Sequence, residues 1–466
     1  MEGRNWIEVN EESDAWDFFW ADTNWVHHCN FSLLKDYQKV NHFPNHYEIT
    51  RKDLLYKTVR RYKRELEREN KQSESMKLDF LPLTYVLPQD YGIFLEAFKK
   101  RPGSLWIAKP LGQAQGRGIF VVSKLSQLAD WKVDNRFTSS PVPRSLPSGS
   151  GADPNDPDHE EEKEKDKTYL IQSYISNPLL VGGKKFDMRV YVLVTSFLPL
   201  TVWLYRTGFA RFSFSHFSLD PDNVDNQFVH LTNVAIQKHS SAYSASQGCK
   251  WDLRDFKLYV HGRYGFKAAR DLFANMQKVI MQVVQAGQNV MIAERKCFEL
   301  YGFDLIIDDT MKVWVLEVNA SPSLTADTPA DYHLKYVLLN DMLDVVDIEK
   351  RRVGVGGGAV SSSSTVLSSS SSSSNSPSPS PAASPSLSSS PTSVSASAYS
   401  SSALVFPPYI PRCSIEGSTV GGFDLIHRGA TPIASPFSAL CPSMLGTSNS
   451  LSRFPHELPQ RLKKYE

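Results

Sequence analysis

FDLIIDDTMKVWVLEVNASPSL, Phe303 to Leu324, reads as two strands joined by a tight turn. The strand expectations are Phe303–Asp308 and Lys312–Val318, apolar and rich in β-branched residues. Asp304 opens the first strand. Glu317 and Asn319 stand two apart on the second, so they share one face. Two carboxylates and an amide oxygen on one face of a hairpin are hard oxygen donors of the kind Mg²⁺ takes. The competing reading is a buried polar network, which would have to pair these groups among Leu305, Ile306, Ile307, Val313, Val315 and Leu316.

Upstream, GGKKFDMRVYVLV (residues 182–194) crowds Lys184, Lys185, Asp187 and Arg189 at the start of an apolar strand. A local Asp187–Arg189 ion pair is the plain reading. Such pairs gain little stability when buried, which favours a functional one. Arg206 and Arg211 follow among aromatics, and an arginine fork grips a carboxylate or phosphate well. WIAKPLGQAQGRGIF (residues 106–120) places Lys109 at a strand end before a loop with Gly112, Gly116 and Gly118. Such a loop lets backbone amides approach phosphate, and a simple glycine hairpin reads equally well. It is not a P-loop, because strand rather than helix follows. HLTNVAIQKH (residues 230–239) offers Thr232 and Asn233 as caps or ligand contacts. His230 reads as structural, and Lys250 alone reads as a loop lysine. Together these parts make a phosphoryl-transfer inventory.

Further strands are expected at Leu105–Lys109, Gly118–Val122, Tyr169–Ile175, Phe186–Phe197 and Val202–Arg211, and helices near Tyr91–Lys100, Phe266–Gln285 and Ala330–Leu343. The class is α+β. Residues 51–71 carry nine bases and four acids on an amphipathic pattern through Leu54, Leu55, Val59, Tyr62 and Leu66. That helix is either a solvated face with i,i+4 pairs such as Arg61–Glu65 or a cationic wall for an acidic partner.

The chain has 466 residues with 41% hydrophobic content, enough for a sizeable core in roughly two to four domains. Its net charge of +1 argues against a nucleic-acid partner. No apolar run is long enough for a membrane span, and the first residues lack a secretory h-region. Five scattered cysteines read as reduced thiols of a cytoplasmic protein. Residues 133–167 are Pro/Ser/Gly-rich, then acidic, and read as a disordered insert of net charge −4. Residues 353–466 read as a disordered Ser/Pro-rich tail. One island in it, VGGFDLIHRG (420–429), reads as a random apolar patch in preference to a docking peptide.

WIAKP, QGRGI, QSYI, GGKKFDMRVYVLV, GFARF, HLTN, YGFDLIID, WVLEVNASPSL and the early NHFPNHYEITRKDLL together resemble the tubulin tyrosine ligase-like family, within it the short cilium-associated tubulin polyglutamylases. The resemblance spans most of residues 15–350. It implies an ATP-grasp fold with an N-terminal domain over 1–75 that begins late, a central domain over 76–195 and a C-terminal domain over 196–352. It also implies the following roles. Lys109, Lys185 and Arg189 would touch ATP phosphates. Gln115 and Gly116 would lie in the phosphate loop, with Gln115 near the acceptor protein. Gln172, Ser173, Tyr174 and Ile175 would line the adenine pocket. Phe186 and Asp187 would lie at the nucleotide, Asp187 facing the ribose, and Thr232 and Asn233 would contact it. Asp304, Glu317 and Asn319 would hold Mg²⁺. Arg211 and Lys250 would grip free L-glutamate, and Arg211, Glu317 and Arg189 would be the catalytic set.

The implied reaction joins glutamate to a γ-carboxylate in a tubulin tail through an acyl phosphate. It would take place on microtubules, in the cytoplasm or at the axoneme or basal body of a cilium or flagellum, with accessory subunits and without nucleic acid or membrane. The alternatives are a glycine or tyrosine ligase of the same fold, an ATP-grasp ligase with a different acceptor, and a catalytically silent microtubule-binding subunit.

Overall fold

In the computed structural model the described residues are 4, 6–10, 13–111, 116–128, 168–239, 250–326, 328–349 and 419–433. The 133–167 insert, Gln115, Gly112 and most of the 353–466 tail lie outside them.

The near-continuous apolar run after Arg189 becomes a strand buried on both faces. The elements that place the site are, in chain order, helix α1 (Lys52–Arg68), strand β1 (Thr84–Leu87), helix α2 (Tyr91–Lys100), and strands β2 (Trp106–Pro110), β3 (Phe120–Val122), β4 (Tyr169–Ser173), β5 (Lys184–Phe197), β6 (Leu200–Phe212) and β7 (Lys250–Asp252). Helix α3 (Leu253–Gln288), strands β8 (Glu299–Ile307) and β9 (Val313–Asn319), helix α4 (Pro329–Val346) and strand β10 (Phe423–Arg428) complete them.

Two antiparallel sheets result. The smaller runs β1-β4-β2-β3, and α2 covers it through Phe94 against Trp106. The larger runs β9-β8-β5-β6-β10, with β7 also on β6. One face packs on α3 through Phe186, Val190 and Val192 against Phe256, Phe273 and Ile280. The other packs on α4 through Tyr191, Leu193 and Trp203 against Leu338, Met342 and Leu343. The α+β expectation holds. The expected helix at Phe266–Gln285 is the second limb of α3, which is broken at Gly265, whose φ of 89° only glycine adopts freely. The DDT turn is an Asx turn, in which Asp308 Oδ1 accepts from the amides of Thr310 and Lys312 and from the Thr310 hydroxyl.

The sheet corrects the sequence reading in two places. A boundary at 195/196 would cut the β5–β6 hairpin, which pairs from Phe186↔Phe212 to Phe197↔Leu200 with register shifts at Val190/Val192 and Val194/Ser196. The 420–429 island is not a random patch, because it forms β10 and pairs antiparallel with β6 over Phe423↔Tyr205 to Arg428↔Thr201. Its side chains explain the docking. Phe423, Leu425 and Ile426 are buried, and Asp424 receives the Arg206 guanidinium, which also donates to Gly421 O. The reading of Arg206 as a ligand grip is thereby replaced by a structural partner within the chain. Phe423→Ala is expected to cost about 3–5 kcal/mol of stability. Chemical denaturation of the full chain checks this, and an unchanged midpoint would mean the strand contributes nothing.

Candidate active site between the two sheets

An open cleft with about 1020 Å³ of empty space lies between the sheets. Lys109, Gly116, Gln172, Ser173, Tyr174, Ile175, Lys185, Asp187, Arg211, Thr232, Asn233, Asp304, Glu317 and Asn319 all line it. The fold therefore gathers residues as far apart in the chain as Lys109 and Asn319.

The Asp304–Glu317 pairing depends on a bulge. Downstream, Leu305 faces Val315, so an unbroken ladder would set Asp304 opposite Leu316. The register shifts there and sets Asp304 opposite Glu317 instead. Asn319 lies opposite Gly302 and donates its amide nitrogen to Gly302 O at 3.2 Å. A Cβ at Gly302 would meet Pro322 Cβ at 3.0 Å and Arg189 Cδ at 3.1 Å, so the chain after Asn319 folds back onto a position that has no room for a side chain.

Asp304 is buried between two arginines. Arg189 reaches it with Nε at 2.5 Å and with a second nitrogen at 3.0 Å, and Arg211 reaches it at 2.7 Å. Arg211 also forks onto Asp187, with Nε at 3.0 Å. Burial alone would raise the Asp304 pKa, but the two guanidinium groups override it and hold the carboxyl below the usual range. The same carboxylates outweigh burial at Arg211 and hold its pKa well above the ordinary value. The expected local Asp187–Arg189 pair is thus replaced by cross-strand pairs.

Two lysines face the cleft from different sheets. Lys109, on β2, donates to Gln172 Oε1 at 2.6 Å. Burial lowers its pKa to about 8, while Glu317 pulls it back up and Lys52 pushes it further down. Lys185, on β5, donates to Tyr174 Oη and His230 O, each at 2.9 Å. Burial, with a smaller push from Lys109, lowers its pKa to about 7 against the pull of Asp187. Tyr174 Oη meets His230 Nδ1 at 2.8 Å, and His230 Nε2 meets Asn223 O at 2.9 Å. Because a carbonyl can only accept, Nε2 carries the proton and Nδ1 accepts from the tyrosine. Gly116, at φ 81°, brings the loop end against Asn233, and a Cβ there would stand 2.9 Å from Asn233 Oδ1.

Some expected residues stand elsewhere. Phe186 is fully buried in the core against Phe212 and Phe256. Arg189 does not line the cleft among the described residues and instead braces Asp304 from behind. Lys250 lies directly opposite Arg211 across β7–β6, its amine 3.2 Å from Asp331 and 5.0 Å from the Phe209 ring centroid. Gln115 lies outside the described residues.

The oxygen donors suit a hard divalent cation. Each Asp304 oxygen accepts from arginine, yet a carboxylate has about four lone-pair sites, so cation and guanidinium can share it. Glu317 is partly open to the cleft, its Oε2 2.9 Å from Lys52 Nζ. Among the described residues no three His, Cys, Asp or Glu groups cluster, and Asn319 adds an amide to the cleft lining beside Asp304 and Glu317.

The chain matches the tubulin-tyrosine ligase family over residues 31–353, a span that holds every wall of this cleft. The chain belongs to that family. With membership comes the ATP-grasp type of α+β fold. The family segment ends before β10, so the sheet is completed from outside it. Among curated relatives, the probable tubulin polyglutamylase TTLL9 of Rattus norvegicus is 44% identical over 364 residues, covering 76% of this chain and 78% of that protein. The probable alpha-tubulin polyglutamylase Ttll1 of Tetrahymena thermophila is 39% identical, covering 74% and 81%. Tubulin polyglutamylase TTLL5 of Mus musculus is 33% identical, covering 73% of this chain and 23% of that protein.

Within this family member, two cleft residues escape sequence reasoning. Lys52 begins the basic helix α1, yet its amine turns into the cleft onto Glu317. Nothing in the amphipathic pattern separates it from the solvated lysines. His230 is not merely structural, since it lines the cleft and holds the tyrosine that accepts from Lys185. The remainder of α1 keeps Arg60, Arg61 and Arg64 exposed. Arg61 donates to Thr58 and Glu65 accepts from Asn289, and neither forms the expected i,i+4 pair. Among the described residues no helix is long and apolar enough to cross a membrane.

Proposed function

We propose that this chain is an ATP- and Mg²⁺-dependent tubulin polyglutamylase that joins L-glutamate to γ-carboxylates in tubulin tails. The observation that carries the reading is the convergence of Lys109 and Lys185, from two different sheets, on the cleft that holds the Asp304–Glu317 pair. The names of the relatives supply the acceptor. Asp304, Glu317 and Asn319 would hold magnesium, which when bound neutralises charge on the polyphosphate. Lys109, Lys185, Gly116, Thr232 and Asn233 would receive the phosphates, with Arg189 acting through Asp304. Gln172, Ser173, Tyr174 and Ile175 would frame the base, and Asp187, from the other sheet, the ribose. Gln115 would stand near the acceptor.

In the proposed reaction the acceptor γ-carboxylate attacks the γ-phosphorus of ATP and ADP leaves, giving an acyl phosphate. The α-amine of glutamate then attacks the acyl carbon, phosphate leaves, and the amine gives up its proton. The protein contributes position and charge rather than a nucleophile. Arg211 and Lys250, side by side on neighbouring strands, favour a donor with a second carboxylate over glycine or tyrosine. The exposed arginines of α1 suit an acidic tail, and the enzyme would act at the cytoskeleton and, by the resemblance, at cilia with accessory subunits. Labelled glutamate, glycine and tyrosine offered in parallel with microtubules, ATP and Mg²⁺ test this. Glutamate incorporation supports it, and glycine or tyrosine incorporation instead refutes the donor.

The lysines also give a pH prediction. Both titrate below the ordinary 10.5, so the unfolded chain binds more protons between about pH 7 and 10.5. The nucleotide-free fold therefore gains stability as pH rises through that window. Polyphosphate reverses the preference, because it favours the charged amines. MgATP binding at pH 8 is expected to take up protons, and its Kd to weaken on the order of tenfold from pH 7 to 9. Calorimetry in buffers of different ionisation enthalpy measures the uptake. Zero uptake would mean that these lysines do not meet the phosphates.

A further inference from the structure

The NHFPN segment (41–45) and the Ser321 of NASPSL have no part in the chemistry above, yet the fold brings them together. Val40 lies parallel to the chain entering β8, with its amide 2.9 Å from Lys296 O and its carbonyl 3.1 Å from Phe298 N. Asn41 clamps the backbone of Ala21, its Oδ1 2.7 Å from that amide and its Nδ2 3.1 Å from that carbonyl. Asn45 does the same across Val290 O and the Ile292 amide. The residue held between the clamps is His42. Its Nδ1 lies 2.9 Å from Glu299 Oε1, and its Nε2 lies 3.2 Å from Ser321 Oγ.

Glu299 is 0% exposed and His42 2%. Glu299 is fully provided for, since its second oxygen also accepts from Phe43 N at 3.2 Å and Tyr301 Oη at 3.1 Å. A buried acid–histidine pair adds little stability by itself, while a fully satisfied polar network fixes one geometry. What this one fixes is the turn after β9. Ser321 is two residues beyond Asn319, and Pro322 packs back onto Gly302. The turn is thus tied on one side through the Asn319 amide and on the other through Ser321.

We propose that Glu299, His42 and Ser321 form a brace from the N-terminal segment that sets Asn319 as a cation ligand. The inference rests on the assignment of Asn319 to the metal face. The glutamate sets the tautomer: Nδ1–H donates to Glu299, so Nε2 accepts the Ser321 hydroxyl. In hydrolases an acid–histidine–serine order activates the serine. The ligase reaction uses no protein nucleophile, and here the same order acts through position. These are positioning residues, and Ser321 stands two residues along the chain from the ligand.

Ser321 is exposed, so the test can be made at the end of the brace without disturbing its buried part. Mn²⁺ is titrated into the full chain with ADP and followed by electron paramagnetic resonance, for wild type, Asn319→Ala, Ser321→Ala and Ser321→Thr. Ser321→Ala is expected to weaken Mn²⁺ about tenfold at an unchanged melting temperature, and Ser321→Thr to restore it. Asn319→Ala should weaken it at least as much. If Asn319→Ala weakens Mn²⁺ and Ser321→Ala does not, the brace is refuted while the metal face stands. If neither changes affinity, the metal face itself fails, and the brace with it.

Discussion

Glu317→Gln is expected to reduce glutamate transfer at least ~10³-fold while the protein melts within a few degrees of wild type. The two halves of the expectation have separate physical reasons. Glutamine keeps the volume and one oxygen of glutamate but loses the charge. The Glu317 side chain is 24% exposed and its only ion-pair partner among the described residues, Lys52, is 21% exposed. Such a partly buried pair still meets water in the open cleft, so its loss should cost on the order of 1 kcal/mol and leave the fold intact. Catalysis should, because Glu317 stands opposite Asp304 and close enough to Lys109 to raise its pKa. Incorporation of labelled glutamate and a thermal melt, run on the same preparation, check both halves. Retention of more than a tenth of the activity would remove Glu317 from the site.

Much of this site was legible because its residues sit where strands begin and end. Lys109 nears the end of β2, Lys185 and Asp187 lie near the start of β5, Arg211 nears the end of β6, and Asn319 ends β9. Charged residues at the ends of apolar strands stand out against the hydrophobic pattern, and the antiparallel pairing then brings those ends together. The facing of Asp304 and Glu317 was legible only in part. A regular hairpin would have paired Asp304 with Leu316, and the bulge that corrects the register leaves no compositional trace. The partners of Asp187 and Arg189 were misplaced for a related reason. Alternation along one strand shows which side chains share a face, but the pairing is decided across strands, where Asp187 meets Arg211 and Arg189 meets Asp304. β10 was hidden by its surroundings. Six residues after a long Ser/Pro tract carry too little pattern to compete with that tract, and only the open edge of β6 gives them meaning. Lys52 was hidden among equals on a basic helix.

Arg211→Lys separates support from substrate binding in the buried cluster. Among the described residues Arg211 makes three hydrogen bonds, two to Asp187 and one to Asp304, all from Nε and one terminal nitrogen. A guanidinium has five donors, so the other terminal nitrogen is left to meet a ligand in the cleft that Arg211 lines. Lysine keeps the charge but not the fork, and one ammonium cannot span both carboxylates. Asp304 retains Arg189, whereas Asp187 loses the partner that holds it, in a region where breaking a buried pair costs about 3–5 kcal/mol. The variant should fold but melt on the order of 10 °C lower. Its KM for glutamate should rise about a hundredfold or more, while its KM for ATP stays near wild type, because the lysines proposed for the phosphates are untouched. Steady-state kinetics in glutamate and in ATP distinguish the roles. A rise in the KM for ATP at constant KM for glutamate would move Arg211 from the amino-acid end of the cleft to the nucleotide end.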